Sequence, residues 1–409
     1  MSDWFELKLG DLFAIKHGYA FKSEFFGDQG THVLLTPGNF QPKGGLKLRG
    51  DKEKFYNGEI PEEYVLRRGD LLVAMTDLTQ EAPILGSPAF VPENERFLHN
   101  QRLGKVVDLR RDRIVPEYLF YVFNTAEVRA QLKGTATGAT VRHTSPSRIY
   151  NVSVRVPPVT IQHRIAGVLL AYDEWIENNR RRIETLEQMA YRLYNEWFVR
   201  LQFPGQESAP LVASPLGPLP AGWEVAPLGA LTDFAKGRKP PRTTHTPLPG
   251  DVPLLLIDAL RGGEPAYAAP ANLVIAGPHD TIMVMDGGSS CDVAIGFHGA
   301  VGSTLGRFRS SRPDVFPPHL LFWYLETRAE EFKSKNVGAA VPHANKDYIL
   351  SQPTALPTPA TAARFRSYME PLHEAIECLR AQAQSLQRAR DLLLPRLMSG
   401  QVRIDEAAA

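Results

Sequence analysis

Two stretches of this chain carry the same seven-residue apolar rhythm 200 residues apart, and that repetition limits the fold more than any other feature. In the first, Ile165, Leu169, Tyr172, Ile176, Asn179, Ile183, Leu186, Ala190, Leu193 and Trp197 alternate spacings of four and three. This spacing gathers them on one stripe of a helix, the a/d seam of a coiled coil. The same phase 200 residues later gives Phe365, Met369, Leu372, Ile376, Leu379, Ala383, Leu386, Arg390, Leu393 and Leu397, nine of them apolar. Each helix should span about 39 residues, roughly 58 Å. A single apolar stripe of that length needs a partner, and the other helix of the chain is the expected one. Asn179 and Arg390 interrupt the seam with polar groups, which usually set register at some cost in stability.

The repeat extends upstream of the helices. Pro157 matches Pro357, Gly138-Ala139 matches Gly338-Ala339, and His143 matches His343. Gly69–Met75 resembles His279–Met285, and Trp4 with Gly18 echoes Trp223 with Gly237. Boundary signals agree. Pro157-Pro158 and Thr160 should open the first helix, and Phe203-Pro204-Gly205 should stop it. Thr358-Pro359 should open the second and Ser399-Gly400 close it, with Pro395 kinking or shortening its last turn. The map is a globular domain over 1–158, a helix over 159–203, a Pro/Gly-rich linker over 204–222, a second domain over 223–358, a helix over 359–398 and a tail over 399–409. Strands are expected at 71–75, 105–109, 152–156, 253–257 and 281–285, and short helices at 116–131 and 318–333. The fold class is mixed α/β (α+β).

Bulk properties exclude more than they assign. At 409 residues and 43% hydrophobic, the chain can bury two or three ordinary cores. A net charge of +1 means that any nucleic-acid affinity must come from local cations or from partners. Cys291 and Cys378 cannot make a disulfide framework or a zinc site alone. Their expected state is two reduced thiols in a cytoplasmic protein. No signal peptide or membrane span is expected.

Catalytic machinery is not legible. There is no phosphate-binding Gly-rich loop, and Asp51-Lys52-Glu53-Lys54 reads as a solvated loop rather than a nuclease cluster. The run Asp286–Asp292 followed by His298 holds Ser289, Ser290, Cys291, Asp and His, the ingredients of a hydrolase, but in no recognised spacing. A strand–turn–strand is the simpler expectation. The informative segments are two pairs of polar loops at repeat-equivalent places. Cations, aromatics and glycines in such loops suit phosphates and base edges. The residues expected to contact DNA are Lys16, His17, Lys22, Arg102, Thr140, Arg142 and His143 in the first half. In the second they are Lys236, Arg238, Lys239, Arg242, His343, Asn345 and Lys346.

The run from Gly138 through Pro157-Pro158, Gln162, Asp173, Asn179, Leu186-Glu187 and Trp197-Phe198 to Phe203-Pro204 resembles the conserved region of type I restriction–modification specificity subunits. The ending Leu392–Gly400 resembles it too. The resemblance implies that each globular domain is a target recognition domain for one half of a bipartite, asymmetric double-stranded DNA site. It also implies that the two helices pair antiparallel as a spacer on which modification subunits dock. The chain itself would be non-catalytic and hold no cofactor, serving restriction and phage defence through its partners. Modification (methyltransferase) subunits would bring S-adenosylmethionine, and restriction subunits ATP and Mg. Ala362 stands where the first half has Gln162, so the second docking surface is expected to be weaker. The alternatives are a specificity subunit for a fused methyltransferase–nuclease, a coiled-coil adaptor that does not bind DNA, and a hydrolase around Ser289 and His298.

Overall fold

The computed structural model describes residues 4–338 and 341–404. Ala339, one member of the matched Gly-Ala pairs, lies outside the described residues. The chain divides into two compact units, one reaching Trp175 and resuming at Leu386, the other Ile176–Ser385. Each unit contains one globular domain and a segment of both long helices.

In the first unit, Phe5–Lys8 pairs antiparallel with Ser153–Val156. The main sheet is antiparallel, in the order Ala14–His17, Leu103–Val107, Leu71–Ala74, Pro88–Phe90. A smaller sheet sets Phe55–Tyr56 antiparallel and Phe97–His99 parallel to Val33–Leu35. The second unit repeats this plan. Glu224–Pro227 pairs with Pro353–Leu356, and the main sheet runs Thr232–Lys236, Leu305–Ser310, Thr281–Val284, Val293–Ala294. Its smaller sheet has Ala266–Ala268 antiparallel and Gly299–Val301 parallel to Val252–Leu255. Helix Pro116–Phe123 corresponds to Pro318–Thr327. A second helix follows each, and Thr125 breaks the first pair by accepting the Val128 N–H as a cap.

The long helices run Val159–Tyr194, continued by a π-turn over Asn195–Val199, and Pro359–Met398. Thr160 therefore sits inside the first helix rather than capping it. Thr358 does cap the second, its Oγ1 accepting the Thr361 N–H at 3.3 Å. Pro395 does not end that helix early, since the helix continues to Met398 before Gly400 adopts a left-handed φ of +74°.

Within each unit the two helix segments pair antiparallel. In the second, Glu187 meets Arg380 at 2.7 Å, while the Trp197 ring lies 5.7 Å from Phe365. Residue numbers rise along one helix as they fall along the other. In the first, Ile165 and Leu169 share a core with Leu397 and the half-buried Leu393, and Asp173 meets Arg390. The polar seam residue Arg390 is thereby satisfied, and the Tyr121 hydroxyl donates to the same Asp173 carboxylate at 2.6 Å. Asn179 is buried. Leu169, Phe365 and Met369 are buried in cores shared with the globular domains, and Ile176, Ile376 and Leu379 are buried as well; Ile183, Leu186, Leu193, Leu372 and Leu386 are only half-buried.

Gln162 has a different job from a docking contact. It is wholly buried; its Oε1 accepts the Val115 N–H at 2.9 Å and its Nε2 donates to Arg113 and Pro157 carbonyls at 2.7 and 2.8 Å. It clamps helix to domain, and the buried Ala362 fills the matching place without polar groups.

In the second unit His319 and His373 pack with ring centroids 4.7 Å apart. Burial pushes His319 down to about 3, reinforced by the charges of His373 and His279. Burial, then the Arg380 charge, takes His373 to about 4. Between these values and the ordinary 6.5, the unfolded chain binds protons that the folded chain refuses. Stability is therefore complete above about 6.5 and falls as pH drops through that window. His319→Phe should flatten this acid slope, read as a smaller shift in urea midpoint between neutral and mildly acidic buffer than the native chain shows.

Candidate nucleic-acid interface

Strand register collects the polar loops at one end of each main sheet. His17 lies opposite Gly104, and Ala74 opposite Leu103. The loops after His17 and Ala74 and the one before Leu103 therefore leave the same edge. In the second unit Lys236 lies opposite Gly306 and Val284 opposite Leu305. The loop before the strand-like His143 or His343 then closes onto this end. Thr137 and His143 exchange backbone hydrogen bonds of 2.9 and 2.8 Å, as do Val337 and His343. Thr144 N–H donates to Met75 O, and Ala344 N–H to Met285 O.

Two glycines hold the first loop in place. A Cβ at Gly18 would lie 2.1 Å from the Asn100 carbonyl oxygen, and one at Gly237 would lie 2.1 Å from that of Gly302. Only the absence of a side chain permits these backbone contacts. Immediately afterwards Tyr19 N–H donates to His99 O and Arg238 N–H to Val301 O. Tyr19 and Arg238 are thus structural equivalents, both exposed, one aromatic and one cationic.

The expected contact residues divide into open groups and groups already engaged. His17, Lys22, Arg102, Thr140 and Lys239 are exposed, Lys22 with only a 4.0 Å contact to Glu24. Arg238 is exposed as well, reaching the Asn272 carbonyl at 3.3 Å. Lys16 is held by Glu63 at 2.8 Å and sits 4.8 Å from the Tyr64 ring centre. Arg142 donates to Lys133 O at 3.0 Å, which ties it to the last turn of the helix Ala126–Thr135 before its loop. Arg242 grips Asp251 through both carboxylate oxygens at 2.9 and 3.1 Å. Asn345 caps helix Lys346–Ser351, accepting the Tyr348 N–H at 3.1 Å, and Lys346 lies 5.4 Å from the Phe234 ring centre. His143 Nδ1 meets Thr76 Oγ1 at 3.0 Å. His343 Nδ1 meets Asp286 Oδ1 at 2.8 Å, and Lys236 Nζ meets Oδ2 of that carboxylate at 2.8 Å.

The Ser–Cys–Asp–His run disperses. Ser289 accepts from Arg261 and Ser290 from Asn336, each at 2.6 Å. Burial pushes the Cys291 thiol up to about 11, so it stays protonated near neutrality, and His298 is exposed. Ser289, Ser290 and Cys291 lie in the turn between Thr281–Val284 and Val293–Ala294, with Gly287 at φ +101°, whereas His298 lies beyond the second of these strands. Glu53, expected on a solvated loop, is buried and accepts from Asn39 at 3.0 Å.

Residues 1–188 match the type I restriction modification DNA specificity domain. The chain is 25% identical over 342 residues to the type I restriction enzyme MjaIX specificity subunit of Methanocaldococcus jannaschii, spanning 80% of this chain and 78% of that one. Type I restriction enzyme specificity subunits are thus what this chain is similar to, through the matched domain and over most of its length. It is also similar to the putative MjaX specificity subunit of the same organism, at 22% identity over 349 residues, 84% of this chain and 80% of that one. The crystal structure of the S subunit of a type I system from M. genitalium shares the fold, with a TM-score of 0.60 at 14% identity, covering 99% of this chain and 97% of that one.

Neither Thr76 nor Asp286 stood among the residues that the sequence nominated for DNA contact. The signal was available, since each directly follows the matched methionines Met75 and Met285. What sequence could not supply was the closure of a distant loop onto that strand end. Gly237→Ala should cost about 1–3 kcal/mol through overpacking against fixed backbone. Gly134→Ala, at a helical site with open space around it, should be neutral or stabilising by up to about 1 kcal/mol. Urea midpoints of the two variants separate these outcomes.

Proposed function

We infer that this chain is the DNA-reading subunit of a type I restriction–modification complex. Each globular domain reads one half of a bipartite, asymmetric site in double-stranded DNA, and the helices carry the docking surface for modification subunits. The observation that carries this reading is the duplicated sheet end, with exposed polar loops at equivalent places in both domains of a chain similar to type I specificity subunits. Exposed cations there suit phosphate contacts, and the neighbouring polar side chains suit base edges. The near-neutral net charge fits a protein that shares its DNA affinity with partners.

The chain contributes recognition rather than catalysis. Methyl transfer with S-adenosylmethionine belongs to the modification subunits, and ATP- and magnesium-dependent translocation and cleavage to restriction subunits. Trp175 and Leu392, both on the long helices, are each 66% exposed. Large apolar groups left in water mark an interaction surface, and we assign these two to the modification-subunit contact. Among the described residues no helix is long and apolar enough to cross a membrane.

Methylation mapping of host DNA with and without the chain tests the reading. A two-part methylated motif should appear only when the chain is present, and its persistence without the chain would refute the assignment. Replacing Arg238 and Lys239 together by Ala should reduce the salt dependence of DNA binding by the assembled complex. The slope of log affinity against log salt should fall by about 0.9 for each phosphate that is no longer neutralised.

A further inference from the structure

We propose that Asp286 is a positioning residue for DNA recognition by the second domain, holding Lys236 at a strand end and His343 from a distant loop as one reading unit. The inference rests on the DNA-reading function above. The carboxylate splits its oxygens, Oδ2 accepting from Lys236 Nζ and Oδ1 from His343 Nδ1, both at 2.8 Å. With Nδ1 donating, Nε2 of a neutral His343 is left as an acceptor. All three side chains remain partly in solvent, with 42% exposure for Lys236, 27% for Asp286 and 49% for His343.

Fold maintenance does not explain this carboxylate. The loop backbone is already fixed by the Val337–His343 exchange, by Ala344 N–H to Met285 O, and by Gly287 N–H to Pro342 O at 2.9 Å. Exposed ion pairs contribute little to stability. What Asp286 adds is the direction of one cation and one imidazole at the sheet end. The first domain keeps the same backbone closure but changes the chemistry. Thr76 stands in the place of Asp286, its hydroxyl holds His143 at 3.0 Å, and Lys16 is drawn off to Glu63. The same frame therefore presents a hydroxyl–imidazole pair in one domain and a lysine–carboxylate–imidazole trio in the other. Two half-sites of unlike sequence require such a difference.

The test uses the whole chain in its modification complex, with the methylated motif read from host DNA. Variants are D286N, D286T, K236M and H343A, each checked for co-purification with the modification subunits. Both D286 variants should lose about tenfold or more discrimination at one or more base pairs of a single half-site. This should be the half-site that K236M and H343A relax, with the other half unchanged. D286T keeps a hydrogen-bonding side chain for His343, as Thr76 does for His143. If D286N alone abolishes methylation, D286T must still give a motif relaxed in that half only. An unchanged motif in both D286 variants, relaxation of both halves, or loss of methylation in both variants would overturn the proposal. Absence of any two-part motif with the native chain would overturn the functional reading itself, and this inference with it.

Discussion

The architecture depends on burying two long apolar stripes that neither helix can shield alone. Each stripe is closed partly by the opposite helix and partly by a globular domain. Leu169 and Phe365 are completely buried because sheet-side helices and the partner helix meet over them. At Ile183, Leu186 and Leu386 the seam is half-buried, since two helices leave one side of an a/d stripe open to water. A fully buried leucine or phenylalanine contributes about 1.5–3 kcal/mol before entropy is subtracted. The domain-covered stretches therefore dominate the cohesion of each unit, and helix and domain are parts of one core.

The duplicated frame is shared in backbone and divergent in side-chain chemistry. Gly18 and Gly237 allow the same close approach, and His143 and His343 close the same bridge. The groups displayed on this frame differ, with Tyr19 against Arg238 and Thr76 against Asp286. The supporting contacts differ as well. Gln162 clamps the first junction with three hydrogen bonds where Ala362 makes none with its side chain. Asp173 anchors Tyr121 and Arg390 in the first unit, whereas the matching His373 packs on His319 in the second. Backbone closure needs only glycines and main-chain donors, so the displayed groups are free to vary.

Much of the fold was legible because helices and strands write their periods into sequence. The heptads located both long helices, and the apolar runs at Leu71 and Thr281 marked central strands. The site was legible only as loops. Charge nominated Lys16, Arg142 and Arg242, yet each is bound by an intramolecular acceptor, Glu63, a Lys133 carbonyl or Asp251. A cation in a sequence does not reveal whether its acceptor lies across the molecule. Asn345 looked like a base reader and also serves as a helix cap, because Asn suits either task.

By itself the sequence determined that there are two copies of one plan, that each ends in a long seamed helix, and that polar loops recur at matched positions. Those properties follow from local spacing and need no knowledge of distant contacts. Tertiary structure decided that the helix segments run antiparallel within each unit and that Gln162 faces inward. It also decided that Asp286 joins Lys236 to His343 across 50 and 57 residues of chain. Such pairings depend on which strand ends the sheets bring together, and strand order and register are not written in the spacing of any single segment.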